Sequence, residues 1–141
     1  MTIDLEREKK TLLDMHAMDR AAHFATDAED AVSRLSDEQI IVREGTIRHM
    51  SRDAVRAITA EYFSGATFHE WDDVEPPIIR VSDDASIAWM INQTRVRLTR
   101  KDAEGNDSEV AFVYAGILTF EKKDGAWQRT ANVSTFAIGE E

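Results

Sequence analysis

Residues 110–121 read VAFVYAGILTFE, and this stretch decides how the whole chain is interpreted. Side chains alternate between the two faces of a β-strand. One face of this strand would carry Val, Phe, Tyr, Gly, Leu and Phe, and the other Ala, Val, Ala, Ile and Thr. An antiparallel strand with one face in water would show apolar and polar residues in alternation. The stretch therefore predicts a strand that is covered on both faces.

The segments around this strand indicate an antiparallel meander. Residues 86–100 form a long candidate strand, and Ala126–Ile138 forms the last strand after an Asp-Gly turn, the usual hairpin signal. Two shorter strands, 67–73 and 78–81, flank Pro76-Pro77, which no central strand tolerates. We predict one bent strand with a break at the prolines, or a strand followed by an extended arm.

The first half of the chain predicts helices around a short hairpin. Residues 4–25, 28–35 and 52–63 have helical patterns, and strands at 39–42 and 46–50 lie before the third helix. The first helix has a wide apolar arc, as expected of a helix lying in a concave sheet. We expect the arc to comprise Leu5, Leu12, Met15, Met18 and Ala22, with Leu13, Ala17, Ala21 and Phe24 beside them.

Helices followed by a run of strands predict the α+β class, with about three helices packed on one face of an antiparallel sheet. The other face is also rich in apolar residues, among them Ile91 and Val133. An apolar face of that extent is typical of an interface. We therefore expect a homodimer that forms through the outer face of the sheet.

Composition places the chain among globular proteins and excludes several partners. A length of 141 residues predicts a single domain, 1–141. The net charge of −10 disfavours nucleic acid and anionic membranes as partners. The chain has no cysteine, so a disulfide framework and a thiolate site are excluded, and the charged first ten residues do not resemble a signal peptide. We expect a cytoplasmic protein.

Several segments together resemble the nuclear-transport-factor-2-like superfamily, which includes ketosteroid isomerases and the polyketide-cyclase-like (SnoaL-like) proteins. The resemblance covers essentially the whole chain, and one segment, 68–80, is similar to a subgroup of uncharacterised bacterial members. It implies a cone in which helices close a strongly curved sheet around an apolar cavity, the cystatin-like fold, and dimers formed through the outer face. The segments that carry it are AHFATD at 22–27, LSDE at 35–38, SRDAV at 51–55, SDDASIA at 82–88 and FEKKDGAW at 120–127.

The same resemblance argues against steroid-isomerase chemistry. That reaction needs a carboxylate base and two hydrogen-bond donors around an enolate oxygen. By alignment with the family, the base falls on Arg43 with Glu44 beside it, one donor falls on Asp19, and the other falls on Gly116. None of the three functional residues is kept.

His16, Asp19 and His23 lie at i, i+3 and i+7 on one stripe of the first helix. One interpretation is an acid–base pair in the cavity, in which the aspartate orients an imidazole. The other is a helix flank of satisfied polar side chains. A metal site is disfavoured because seven residues correspond to about 10 Å of helix rise. We expect no metal and no cofactor.

The ligand itself is expected to be a small hydrophobic or anionic organic molecule in an otherwise apolar pocket. Arg43 would bind an anion or pair with Asp19 if it points inward, and would otherwise lie outward at a strand end. The remaining candidate pocket residues are Ile58, Tyr62, Trp71, Trp89, Phe112, Tyr114, Leu118 and Asn132.

Two functions remain open from the sequence. The first is a non-catalytic module for ligand binding or association. The second is an enzyme of the isomerase, dehydratase or cyclase type, in which Asp19 and a histidine act on a hydrophobic carbonyl substrate. The first is favoured because the known catalytic positions are lost.

Overall fold

A computed structural model describes residues 2–138, with side chains for residues 2–137. The described chain forms three helices and seven strands. They are α1 (Leu5–Ala25), α2 (Ala28–Val32), β1 (Leu35–Arg43), β2 (Thr46–Ser51), α3 (Arg52–Phe63), β3 (Ala66–Asp73), β4 (Ile78–Val81), β5 (Ile87–Lys101), β6 (Asp107–Lys123) and β7 (Ala126–Ile138). This is the α+β class that the sequence predicts.

Each helix begins at a residue whose side chain caps the free amide groups of the first turn. Asp4 accepts a hydrogen bond from the amide of Arg7, and Ser51 accepts one of 3.0 Å from the amide of Ala54. Asp27 caps α2 in the same way. α1 ends at Ala25, and the left-handed backbone of the capping residue Thr26 (φ 49°) turns the chain toward α2.

The strands form one curved, unclosed sheet in the order β2-β1-β7-β6-β5-β3, and β4 also pairs with β5. All pairs are antiparallel except β1 with β7, which is parallel. This pair is the one exception in the otherwise antiparallel sheet that the sequence predicts. β1 and β7 are not joined by a hairpin, so no turn forces them to run in opposite directions.

The bent strand with a break is confirmed. β3 pairs with residues 94–100 of β5, and β4 pairs with residues 88–91 of the same strand. Pro76 and Pro77 lie in the gap, where no ladder hydrogen bond is required of them. β5 therefore has two short neighbours along one edge.

The wide apolar arc expected for α1 is wrong in its breadth. Leu12, Met15 and Ala22 are buried, but Leu13 is 42% exposed and Met18 and Phe24 are also exposed. Ala17 and Ala21 are exposed as well, and Leu5 is only half-buried. α1 packs on β3 and β4 with one side, and the open sheet does not wrap round its other side.

Two boundaries also differ from the sequence prediction. α2 ends at Val32, and β1 begins at Leu35 because that residue pairs with Arg129 of β7 before the strand shifts register. Further along β1, the buried side chain of Gln39 donates a 2.7 Å hydrogen bond to the carbonyl oxygen of Arg129. Among residues 2–138 no helix has the length and apolar character needed to cross a membrane.

Candidate functional site

A cavity of about 400 Å³ lies between the helices and the inner face of the sheet. Its size is within the usual range for small-molecule sites, about 300–1,000 Å³. Every candidate site residue from the sequence lines it except Trp89. These lining residues are His16, Asp19, His23, Arg43, Ile58, Tyr62, Trp71, Phe112, Tyr114, Leu118 and Asn132.

Trp89 lies on the outer face of the sheet, which corrects its assignment to the pocket. Its neighbours Ala88 and Met90 are buried on the inner face, whereas the Trp89 ring is partly exposed. The guanidinium carbon of Arg80 lies 6.0 Å from the centre of that ring. Consecutive side chains of a strand point to opposite faces, so only one of Ala88 and Trp89 can face the cavity.

The carboxylate of Asp19 is held between two arginines. Its Oδ1 lies 2.8 Å from Nη2 of Arg34, and its Oδ2 lies 3.8 Å from Nη1 of Arg129. Burial alone would lower the pKa of Arg34, but hydrogen bonds to Asp19 and Asp30 more than offset it and raise that pKa. Asp19 therefore serves as the counter-ion of the arginines, and its carboxylate does not orient a histidine.

His23 is anchored by the backbone of the same helix. Its Nδ1 lies 2.7 Å from the carbonyl oxygen of Asp19, and because a carbonyl only accepts, Nδ1 carries the proton. The ring stacks on Trp71 with 4.6 Å between centroids. Burial lowers the pKa of His23, against the opposing effect of the Asp19 carbonyl. The imidazole is therefore neutral near pH 7, with a lone pair on Nε2.

The histidine that pairs with an aspartate is His16. Its Nε2 lies 2.8 Å from Oδ1 of Asp73 at the end of β3, and its ring is almost fully buried beside Trp71. The sequence offered Asp19 as the orienting carboxylate, and the structure assigns that contact to Asp73. The partner was missed because it lies on another element, 57 residues away.

Two tyrosines place hydroxyl groups in the cavity wall. Burial raises the pKa of Tyr62 to about 12, with a further contribution from the nearby Tyr114. Burial also raises the pKa of Tyr114, although Thr94 and Asn92 oppose this effect. Both hydroxyls consequently stay protonated at neutral pH and can donate a hydrogen bond to a ligand.

Arg43 lies at the mouth of the cavity. Its guanidinium carbon is 5.4 Å from the centre of the Phe136 ring, and the side chain is exposed. Of the alternatives left open, the pairing with Asp19 does not form, because Asp19 is already bound to Arg34 and Arg129. Within residues 2–137 no carboxylate lies within 4.0 Å of Arg43.

The cavity also contains polar residues that sequence reasoning missed. Arg129 faces inward because β7 carries an extra residue at Thr130, which shifts its register against β6. Arg48 reaches the mouth from β2, and the buried Asn92 lies on the inner face of β5. The alternation of apolar residues in the sequence does not reveal a bulge, so it could not predict that Arg129 faces the cavity. The described residues contain no cluster of three or more His, Asp or Glu side chains placed to hold a metal ion.

Solved structures of low sequence identity share this fold. An NTF2-like protein with a cystatin-like fold from Novosphingobium aromaticivorans aligns with 96% of this chain and 86% of its own, at 15% identity and a TM-score of 0.68. A ketosteroid isomerase-like protein from Erwinia carotovora atroseptica aligns with 92% of this chain and 96% of its own, also at 15% identity and a TM-score of 0.68. An NTF2-like protein from Cytophaga hutchinsonii aligns with 92% of this chain and 98% of its own, at 15% identity and a TM-score of 0.66.

These likenesses confirm the predicted fold. No protein-family model and no curated protein sequence matches the chain.

Proposed function

Given its NTF2-like fold, we propose that this chain is a non-catalytic module that binds a small hydrophobic or anionic organic molecule in the cavity. The observation that carries the proposal is the Asp19 carboxylate, which two arginines hold as their counter-ion inside a mostly apolar cavity. Both oxygens of that carboxylate face arginine donors, so neither is directed at a substrate. The cavity itself remains open for a ligand of suitable size.

The test is the binding of N-phenyl-1-naphthylamine, a neutral apolar fluorophore that brightens when it leaves water. Thr59 of α3 lines the cavity, so Thr59→Trp fills it and abolishes the fluorescence increase. Ala60→Trp is the matched control, because Ala60 is the next residue of the same helix and is exposed. If wild type does not bind the dye, or if both variants bind it equally well, the proposal is wrong.

A second candidate is an enzyme of the isomerase, dehydratase or cyclase type acting on a hydrophobic carbonyl substrate. His23 favours it, because a neutral imidazole with its Nδ1 proton engaged presents Nε2 as a base. In this reaction Nε2 takes a proton from the carbon next to the carbonyl, and the electron pair moves onto the carbonyl oxygen. The hydroxyl of Tyr62 or Tyr114 would donate a hydrogen bond to that enolate oxygen.

The enzyme candidate is tested without knowing its product. A panel of enolisable ketones is incubated with the protein in D₂O, and the loss of α-proton signals is followed by NMR. Catalysed exchange that disappears in His23→Gln would support the enzyme and overturn the non-catalytic proposal. Exchange at the buffer rate with every ketone would eliminate the second candidate.

The homodimer and the cellular location are also proposals. The outer face presents Ile87, Ile91 and Ile78 as exposed side chains and Val113 and Ile117 as partly exposed ones, which supports an interface between two sheets. A cysteine-free chain suits a reducing compartment, so we propose the cytoplasm. Cell fractionation would check the location.

A further inference from the structure

We infer that the cavity takes a planar organic acid whose anionic group binds Arg43 and Arg48 at the mouth. This inference rests on the proposed binding function and narrows its ligand from a hydrophobic or anionic molecule to one that is both. Three features carry it. They are the charge of the cavity lining, the way Arg43 is held, and the aromatic surface that leads inward from it.

The charge of the lining differs from that of the protein. The chain as a whole carries a formal charge of −10, but the cavity is lined by three arginines, Arg43, Arg48 and Arg129, and two carboxylates, Asp19 and Glu44. Asp19 is already neutralised by Arg34, which does not line the cavity. An excess of positive charge is therefore concentrated at this site, where it attracts an anion.

Within residues 2–137 the Arg43 guanidinium is positioned by an aromatic ring and not by hydrogen bonds. It lies over the Phe136 ring, 5.4 Å from the centroid, and such a contact engages the face of the cation. Among the described residues no side chain or backbone oxygen accepts a hydrogen bond from it. A guanidinium has five N–H groups in a planar fork that matches a carboxylate. Among the residues that the structure describes, Arg43 is thus held by an aromatic contact that leaves its N–H donors unengaged.

Arg48 provides a second cation next to the first. In the β1–β2 ladder Arg43 pairs with Thr46, and Arg48 pairs with Ile41. All four side chains share the face that lines the cavity, so Arg43 and Arg48 are diagonal neighbours. An anion that binds between these two positively charged side chains is attracted by both. Both side chains are exposed and therefore accessible to an anion from solution.

The wall behind Arg43 fits a flat apolar body. Phe136 lies 5.7 Å from Tyr114 and 5.8 Å from Phe112, with interplanar angles of 35° and 51°. These three rings form a continuous aromatic surface from the mouth into the cavity. A planar ring system gains offset stacking on such a surface in addition to its apolar burial. The ligand class is therefore an aromatic or polycyclic acid with one anionic group.

The experiment compares 2-naphthylacetic acid with 2-naphthylacetamide, which has the same shape and no charge. Each displaces N-phenyl-1-naphthylamine from the full-length protein, and the wild type is expected to bind the acid about tenfold or more tightly than the amide. The preference disappears in the double variant Arg43→Gln, Arg48→Gln and shrinks in each single variant. Arg95→Gln removes the same charge from the exposed side of β5 and keeps the full preference.

The possible outcomes distinguish a failure of this inference from a failure of the proposed binding function. If the dye binds in the cavity but the amide binds as tightly as the acid, the inference fails and the binding function stands. A preference for the acid that survives in the double variant also overturns it. If Thr59→Trp leaves dye binding unchanged, the binding function fails and the inference falls with it. Thermal unfolding of each variant confirms that the fold is retained.

Discussion

The carboxylate of Asp19 accepts a 2.8 Å hydrogen bond from the guanidinium of Arg34, and this ion pair joins α1 to the segment that leads into β1. Both side chains are mostly buried, with exposed fractions of 20% and 14%. Removing one partner of such a pair leaves the other charge in a poorly hydrated place.

We expect Asp19→Asn to lower the free energy of unfolding by about 1–3 kcal/mol, because Arg34 and Arg129 then lack their shared counter-ion. Urea denaturation measures this change. Asp30→Asn is the control, since Asp30 also contacts Arg34 but is 45% exposed, and it should cost less. An Asp19→Asn variant as stable as the wild type would show that the ion pair does not contribute to stability.

Stability should fall as the pH drops below about 6.5 toward the lower pKa of folded His23. The folded protein holds this imidazole neutral because burial lowers its pKa below the ordinary value of 6.5. The unfolded chain then binds one proton more, so the contribution is complete above pH 6.5 and is lost as the pH falls. The slope for one proton is at most about 1.4 kcal/mol per pH unit.

Urea titrations at several pH values between 5 and 7.5, a range set by the His reference value of about 6.5, measure the slope. His23→Phe should flatten it. His49→Gln is the comparison, because His49 is an exposed histidine on β2. If the wild type and His23→Phe have the same slope, the burial argument for His23 is wrong.

Gly116 is required by the close approach of β6 and β7. A Cβ at this position would lie well inside van der Waals contact with the carbonyl oxygen of Val133 and 3.0 Å from Cα of Ser134. Since backbone atoms cannot move aside like a flexible side chain, we expect Gly116→Ala to cost about 1–3 kcal/mol, as overpacking does. Gly45→Ala is the control, because its Cβ meets nothing within 4 Å.

In Gly45→Ala the loss of stability comes only from placing an alanine at a positive φ of 78°, without steric crowding. Chemical denaturation of both variants therefore separates steric crowding from backbone conformation. A smaller loss in Gly116→Ala than in Gly45→Ala would contradict the crowding argument. The same crowding leaves no room for a larger side chain at this position.

The proposed dimer predicts a sedimenting species of twice the 16.0 kDa chain mass. Ile91 is 40% exposed on the outer face of β5, so Ile91→Glu should place a charge in the interface and yield monomers. Leu13→Glu is the matched control, because Leu13 is equally exposed on α1, on the opposite side of the sheet. A wild type that sediments only as a monomer at micromolar concentration would refute the dimer.

The sequence was most informative where a local pattern specifies geometry. The apolar run at 110–121 predicted a strand covered on both faces; the structure covers its inner face, and the cover of its outer face stays a prediction. The Pro76-Pro77 pair predicted the break in the edge strand. These features depend on neighbours in sequence, which is why pattern reasoning reaches them.

The remaining differences arise from contacts between distant segments. Trp89 was assigned to the wrong face, although the exposed Arg95 and Arg97 share its parity on β5 and indicate that face. The ion pair of Asp19 and the Asp73 partner of His16 depend on how α1 lies against the sheet. The spacing of residues within a single helix or strand cannot predict how α1 packs against the sheet.

The parallel pairing of β1 with β7 has a consequence for the order of folding during synthesis. Gln39 finds its hydrogen-bond partner at Arg129, 90 residues further along the chain. A nascent chain must therefore wait until its final strand leaves the ribosome before the first strand has a permanent place. Until then the hairpin that bears Arg43 and Arg48 has no sheet to join, so a molecule truncated before β7 would lose the cavity mouth, which that hairpin forms.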